Sequence, residues 1–148
     1  LQHSSIHAPA PEPVKFACQA LSIAFVNAVD QRDYKRALSV FTEDAVFERW
    51  DSVFQGKTEI GAMLNARDVN AQTRHLCTNF EITQSPQATT SASGLSLFLF
   101  YKQSGSVSEQ PLSTGGAAMV GEFHDHYQLT DGGWRIVRRK VVPVFTAD

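Results

Sequence analysis

The sequence predicts an α+β fold in which three N-terminal helices pack on one face of a strongly curved, mainly antiparallel sheet. Three observations carry that prediction: helical periodicity is confined to the first half, β-rich runs fill everything after residue 70, and those runs follow one another with no helix between them. A doubly wound parallel sheet needs a helix between successive strands, so that class is excluded. The 148 residues are of ordinary single-domain size, and 43% hydrophobic composition with ten Phe supplies ample apolar area for one core and a pocket.

Residues 1–13 (LQHSSIHAPAPEP) are expected to form a flexible arm, because three Pro among small polar residues favour extended chain; His3 and His7 belong to it. The domain proper is expected over 14–148. Val14, Cys18, Leu21, Phe25 and Ala28 recur at steps of four and three, which predicts a helix ending near Asp30. Asp33 is placed to cap a second, short helix with Tyr34, Ala37, Leu38 and Phe41 on one face. The run AVFERW reads as a strand; after Gly56, GKTEIGAMLNARD gives a third amphipathic helix through Ile60, Met63 and Leu64.

Four long strands are then expected at 73–84, 88–103, 116–130 and 133–145. Asp131-Gly132-Gly133 joins the last two as a tight hairpin, since Gly accepts positive φ without steric cost. In the third of all the expected β segments, Leu95, Leu97, Leu99 and Tyr101 share one face while Phe98 and Phe100 share the other. Helices can cover only one of these faces. A homodimer through the outer face of the sheet is therefore expected.

Charge and cysteine content narrow the function classes. Thirteen Lys plus Arg against fifteen Asp plus Glu leave a net charge of −2, which argues against nucleic-acid binding. The basic cluster Arg135, Arg138, Arg139 and Lys140 reads as solvated strand faces. Cys18 and Cys77 fit two buried free thiols better than a disulfide framework or a zinc site. No apolar stretch approaches the roughly 20 residues of a membrane span, so no membrane partner and a cytoplasmic location are expected.

The segments AFVNAVDQRDYKRALSVFTEDAVFE, QGKTEIGAML, TRHLCTNFEI and GEFHDHYQLTDGGWRIVRRKVV, in that order, resemble the SnoaL-like group of the nuclear transport factor 2 superfamily over roughly residues 14–145. The resemblance implies a cone-shaped, cystatin-like α+β barrel around one mostly apolar pocket. It does not choose a reaction, because the superfamily holds polyketide cyclases, scytalone dehydratase, ketosteroid isomerase, dioxygenase β-subunits and binding modules. It also implies that His75, in the pair Arg74-His75, points into the cavity. The acidic base of ketosteroid isomerase falls at Arg49 and its helix-one tyrosine at Phe25, so isomerase chemistry of that type is not carried over. Of the scytalone dehydratase set, only His75 and Asp30 have counterparts.

Strand alternation places Thr73, His75, Cys77 and Asn79 on one face, and Gly121, Phe123, Asp125, Tyr127 and Leu129 on the inward face of a later strand. His75 and Asp125 are the catalytic candidates. His75 is either a general acid/base or a core histidine satisfied by a carbonyl or by Asn79. Asp125 is either a second base or orienter of His75, or a structural partner of Arg49 or Arg138. Phe25, Arg49, Trp50, Asn79, Phe123 and Tyr127 are the substrate-contacting candidates, and their aromatic character favours a flat aromatic or polycyclic ligand, neutral or weakly anionic, over a phosphorylated one. His124 and His126 share a strand face, but no third ligand stands at useful spacing, so no metal and no cofactor are expected. The leading expectation is a cofactor-independent cyclase, dehydratase or isomerase, a lyase or isomerase in class, acting by proton transfer on a small, mainly apolar carbonyl compound. A noncatalytic binding or assembly domain, and a dioxygenase β-subunit, are the competing readings.

Overall fold

The computed structural model describes residues 8–147; His3 and His7, with the rest of 1–7, lie outside the described residues. The element order is β1 (Ala8–Pro9), α1 (Glu12–Asp30), α2 (Tyr34–Leu38), β2 (Phe41–Arg49), β3 (Ser52–Gln55), α3 (Gly56–Asn65), β4 (Ala71–Gln84), β5 (Ser91–Ser104), β6 (Met119–Thr130) and β7 (Gly133–Thr146). The arm expected over 1–13 is therefore shorter than its composition implied. Ala8 and Pro9 pair with Gln84 and Thr83 of β4, Ala10 is buried, and α1 starts at Glu12 with Pro13 in its first turn, where a missing N–H costs nothing.

The helices form where periodicity placed them. Asp33 caps α2 by accepting a hydrogen bond from the Arg36 backbone N–H at 3.1 Å. Cys18, Ser22, Phe25, Val26, Ala28 and Val29 of α1, with Ile60, Gly61 and Leu64 of α3, are buried against the sheet. Phe25 meets Phe41 edge-on at 5.4 Å and Phe47 at 6.1 Å, locking α1 to β2 with contacts of about 0.5–1.5 kcal/mol each beyond their area.

The seven strands lie in the order β1-β4-β5-β6-β7-β2-β3. All neighbours are antiparallel except β2 and β7, which run parallel, so the sheet is mixed; β1 and β3 end it, so it does not close into the expected barrel. Two glycines allow its inner face to be filled by rings lying flat. A Cβ at Gly94 would come within 2.8 Å of the Tyr127 ring, and one at Gly121 within 2.7 Å of Phe98. The β6–β7 hairpin turns through Asp131-Gly132, with Gly133 at φ +99° as expected.

Irregularities in register re-aim side chains. The β4–β5 pairing shifts between Thr78 and Glu81, where Asn79 sits at φ +54°. Before it the odd-numbered residues face inward; after it Ile82 and Gln84 do. A shift in the β6–β7 pairing between His126 and Tyr127 does the same to β7, turning Ile136, Arg139 and Val141 inward together. Among the described residues no helix is long and apolar enough to cross a membrane.

Candidate functional site

A cavity of about 170 Å³ opens between α1, α3 and the inner face of the sheet. Its wall includes Phe25 and Val29 of α1, Phe98 and Phe100 of β5, Phe123 of β6 and Val141 of β7, with Arg49, Trp50, Arg67 and His75 adding polar atoms. The volume lies below the roughly 300–1,000 Å³ of pockets that enclose drug-sized ligands. It suits one ring with its substituents, not the polycyclic ligands that the aromatic lining suggested.

His75 reaches this wall from β4, as the resemblance implied. Its ring packs at 4.6 Å on Phe100, and its Nδ1 lies 2.7 Å from Oδ1 of Asp30, the last residue of α1. The carboxylate assigns the proton to Nδ1, and Nε2 is left as an acceptor with no protein partner among the described residues. The same carboxylate accepts the His75 backbone N–H through Oδ2 at 2.7 Å and the Thr73 hydroxyl through Oδ1 at 2.9 Å. Ring and main chain of His75 are thus clamped to one group, which fixes the imidazole's aim. Burial alone would raise the Asp30 carboxyl, but the hydrogen bonds from His75 and Thr73, with the charge His75 carries when it is protonated, outweigh it and hold the carboxyl below its ordinary value. A depressed folded pKa stabilises above the unfolded value and is lost as pH falls through the folded one, so the clamp holds across neutral pH and yields only in acid.

Asp125 faces inward as expected but does not meet His75. It is 3% exposed and bound side-on by Arg139, with Nε and Nη2 each at 2.8 Å, while the Tyr127 hydroxyl donates to its Oδ2 at 3.0 Å. Its structural partner is Arg139, not the Arg49 or Arg138 weighed from sequence. The expectation that Arg139 is solvated is overturned as well: the residue is fully buried, stacked at 4.1 Å on Phe123, and donates to Ser22 Oγ. Burial would lower its guanidinium pKa, but the Asp125 charge and hydrogen bonds raise it above the ordinary value, so Arg139 stays a cation. Burial, and then Asp125, push the Tyr127 hydroxyl far above its ordinary value. This closed cluster lies behind the cavity wall, and neither Asp125 nor Tyr127 borders the cavity.

Of the remaining candidates, Phe25, Arg49, Trp50 and Phe123 border the cavity, while Asn79 does not, because the bulge it forms leaves it exposed. Leu129, expected inward, is 42% exposed at the end of β6. His124 and His126 share the outer face, held by Glu122 and Ser93; among the described residues no group of three His, Cys, Asp or Glu is placed to share a metal ion. Cys18 and Cys77 are free, and burial pushes their thiols up to about 12 and about 11.

The sequence reading kept Asp30 only as a counterpart through the resemblance, without pairing it with His75, and it missed Arg67. Asp30 left a signal: an acidic residue ending a helix opposes the macrodipole and asks for another reason to be there. Arg67, which donates to Thr73 Oγ1 at 2.9 Å, left none, since it follows α3 like any solvated arginine.

A curved α+β sheet with three helices packed on it, enclosing an apolar cavity with a histidine–carboxylate pair on its wall, is a cystatin-like architecture. The SnoaL-like domain profile matches residues 16–140, and the chain belongs to that family. Among solved structures, a protein of Novosphingobium aromaticivorans provisionally named an aromatic ring hydroxylase is similar at 25% identity and TM-score 0.76, over 92% of both chains. ActVI-ORFA of Streptomyces coelicolor shares 17% identity at TM-score 0.75, over 89% of this chain and 98% of its own. A type 2 hexachlorocyclohexane dehydrochlorinase is similar at 17% and 0.75, over 91% of this chain and 88% of its own. No curated protein sequence matches the chain.

Proposed function

We propose that the chain is a cofactor-independent lyase or isomerase that moves a proton on a small, mainly apolar carbonyl compound in the cavity, with His75 as the base and Asp30 positioning it. The carrying observation is that, among the described residues, His75 is the one imidazole or carboxyl side chain on the cavity wall and keeps Nε2 as an acceptor; the other ionisable groups there are Arg49 and Arg67. A single group must then do both jobs. In a dehydration, Nε2 takes the hydrogen from the carbon beside the carbonyl, and the electrons of that C–H bond form C=C as the β-hydroxyl leaves. The imidazolium returns the same proton to the departing oxygen as water. In an isomerisation or cyclisation the proton returns to carbon or to a carbonyl oxygen instead. The dehydrochlorinase of like fold, an elimination catalyst by name, supports this reading as an analogy of fold.

A noncatalytic module would be served by a collapsed interior, whereas the open cavity with His75 on its wall favours the enzyme. The test is α-hydrogen exchange in D₂O, followed by NMR, on single-ring ketones and β-hydroxy ketones with and without a carboxylate. Deuterium uptake or water loss that depends on His75 is the expected outcome. Exchange that survives His75→Ala, or none across the panel, rejects the reading.

We also propose a homodimer through the outer sheet face, where Leu76 is 55% exposed beside the half-buried Leu95, Leu97 and Leu99. Light scattering from a micromolar solution is expected to give twice the chain mass. A monomer there overturns it.

A further inference from the structure

The cavity beside His75 carries an unbalanced charge. Arg49, at its mouth, and Arg67 both border it, and among the described residues no Asp or Glu does. An apolar pocket gains nothing from cations on its wall unless something arrives to pair with them. The donors are available. Arg49 lies over the rings of Trp50 and Phe54 at 5.6 and 5.1 Å, and its buried Nε makes no hydrogen bond among the described residues. That Nε is ion-paired with Oδ1 of Asp51 at 3.6 Å, too long for a hydrogen bond and screened by solvent, since the Asp51 side chain is 62% exposed. Arg67 approaches from the end of α3 and gives one hydrogen bond to Thr73. Burial first, and the like charge of Arg32, hold its guanidinium below the ordinary value against the opposing pull of Tyr34 and Asp30. Asp30 itself is occupied by His75 and Thr73.

We infer that the ligand of this cavity is a single-ring carboxylic acid, its carboxylate held by Arg49 and Arg67 and its ring among Phe25, Phe98, Phe100 and Phe123. A guanidinium fork matches the two oxygens of a carboxylate, and a fixed anion at the arginine side would present the reacting C–H to His75 Nε2. The inference rests on the proton-transfer reading of the same cavity and adds the substrate class. It narrows the neutral or weakly anionic ligand expected from the lining aromatics to the weakly anionic kind.

Calorimetric titration of the intact chain with phenylacetate and with phenylacetamide, alike in shape and different in charge, tests it. Phenylacetate is expected to bind at least about tenfold more tightly, a difference of about 1.4 kcal/mol. The preference is expected to weaken with added salt and to collapse in Arg49→Met and Arg67→Met. Arg67 also ties down Thr73, so if Arg67→Met does not fold, Arg49→Met at the exposed mouth decides. Equal binding of acid and amide, a preference that survives loss of the arginines, or no binding of either at millimolar concentration overturns the proposal. In His75→Asn the preference is expected to persist while isotope exchange is lost, so the carboxylate site and the proton-transfer reading fail separately.

Discussion

Asp125→Ala is expected to lower the unfolding free energy by about 3–5 kcal/mol, because it strands the Arg139 cation where no water reaches it. For a chain of this size that corresponds to a fall in Tm on the order of 10 °C. The Arg139 guanidinium is held by two hydrogen bonds to Asp125 and one to Ser22, and its Nη1 already has no partner among the described residues. Removing the carboxylate leaves Ser22 alone to hold it, and the Tyr127 hydroxyl loses its acceptor. Taking out both charges together, as Asp125→Leu with Arg139→Met, is expected to recover much of the loss, since packed apolar groups avoid the desolvation that the ion pair had to overcome. Urea unfolding monitored by circular dichroism measures both. A single-variant loss under about 1 kcal/mol would mean that water or rearrangement relieves the stranded charge, and that the cluster is not the anchor described.

The second large effect is on turnover. Once a substrate is found, His75→Ala is expected to lower kcat by about 10²–10⁴, the usual contribution of a positioned acid/base, while costing the fold only about 1 kcal/mol. Asp30→Asn keeps an acceptor opposite Nδ1 but removes the charge that stabilises the imidazolium, so it is expected to reduce kcat by a smaller factor with little change in KM. A His75→Ala enzyme that keeps a tenth or more of the wild-type rate would place the base elsewhere. The two predictions separate the inward carboxylates by their readouts: Asp125 acts on the melt and Asp30 on the rate.

The sequence made some of this legible and hid the rest for physical reasons. Helix periodicity found α1, α2 and α3, because one buried stripe per helix leaves a repeating signature. Strand alternation placed Phe123 inward and grouped His75 with Thr73 and Cys77, and the resemblance then chose the inward side for His75; both residues border the cavity. It failed at Asn79 and at Arg139, where a shift in register moves the pattern by one residue, and nothing local in Arg138-Arg139-Lys140 tells which arginine turns in. The strand Ser52–Gln55 was missed because its four residues are too few to display a period. The parallel contact of β2 with β7 joins segments about 90 residues apart, so only tertiary folding reveals it. Asp30 and His75 are likewise 45 positions apart, and their pairing depends on how far α1 runs along β4.

That pairing binds two requirements into one residue. Across Ala71–Thr78, β4 pairs with β5 on one side and, among the described residues, with no strand on the other, and Asp30 answers the main-chain N–H of His75 at that open border. An open strand border invites a foreign strand to add on, and the carboxylate that fixes the imidazole also withdraws one of the donors such a strand would need.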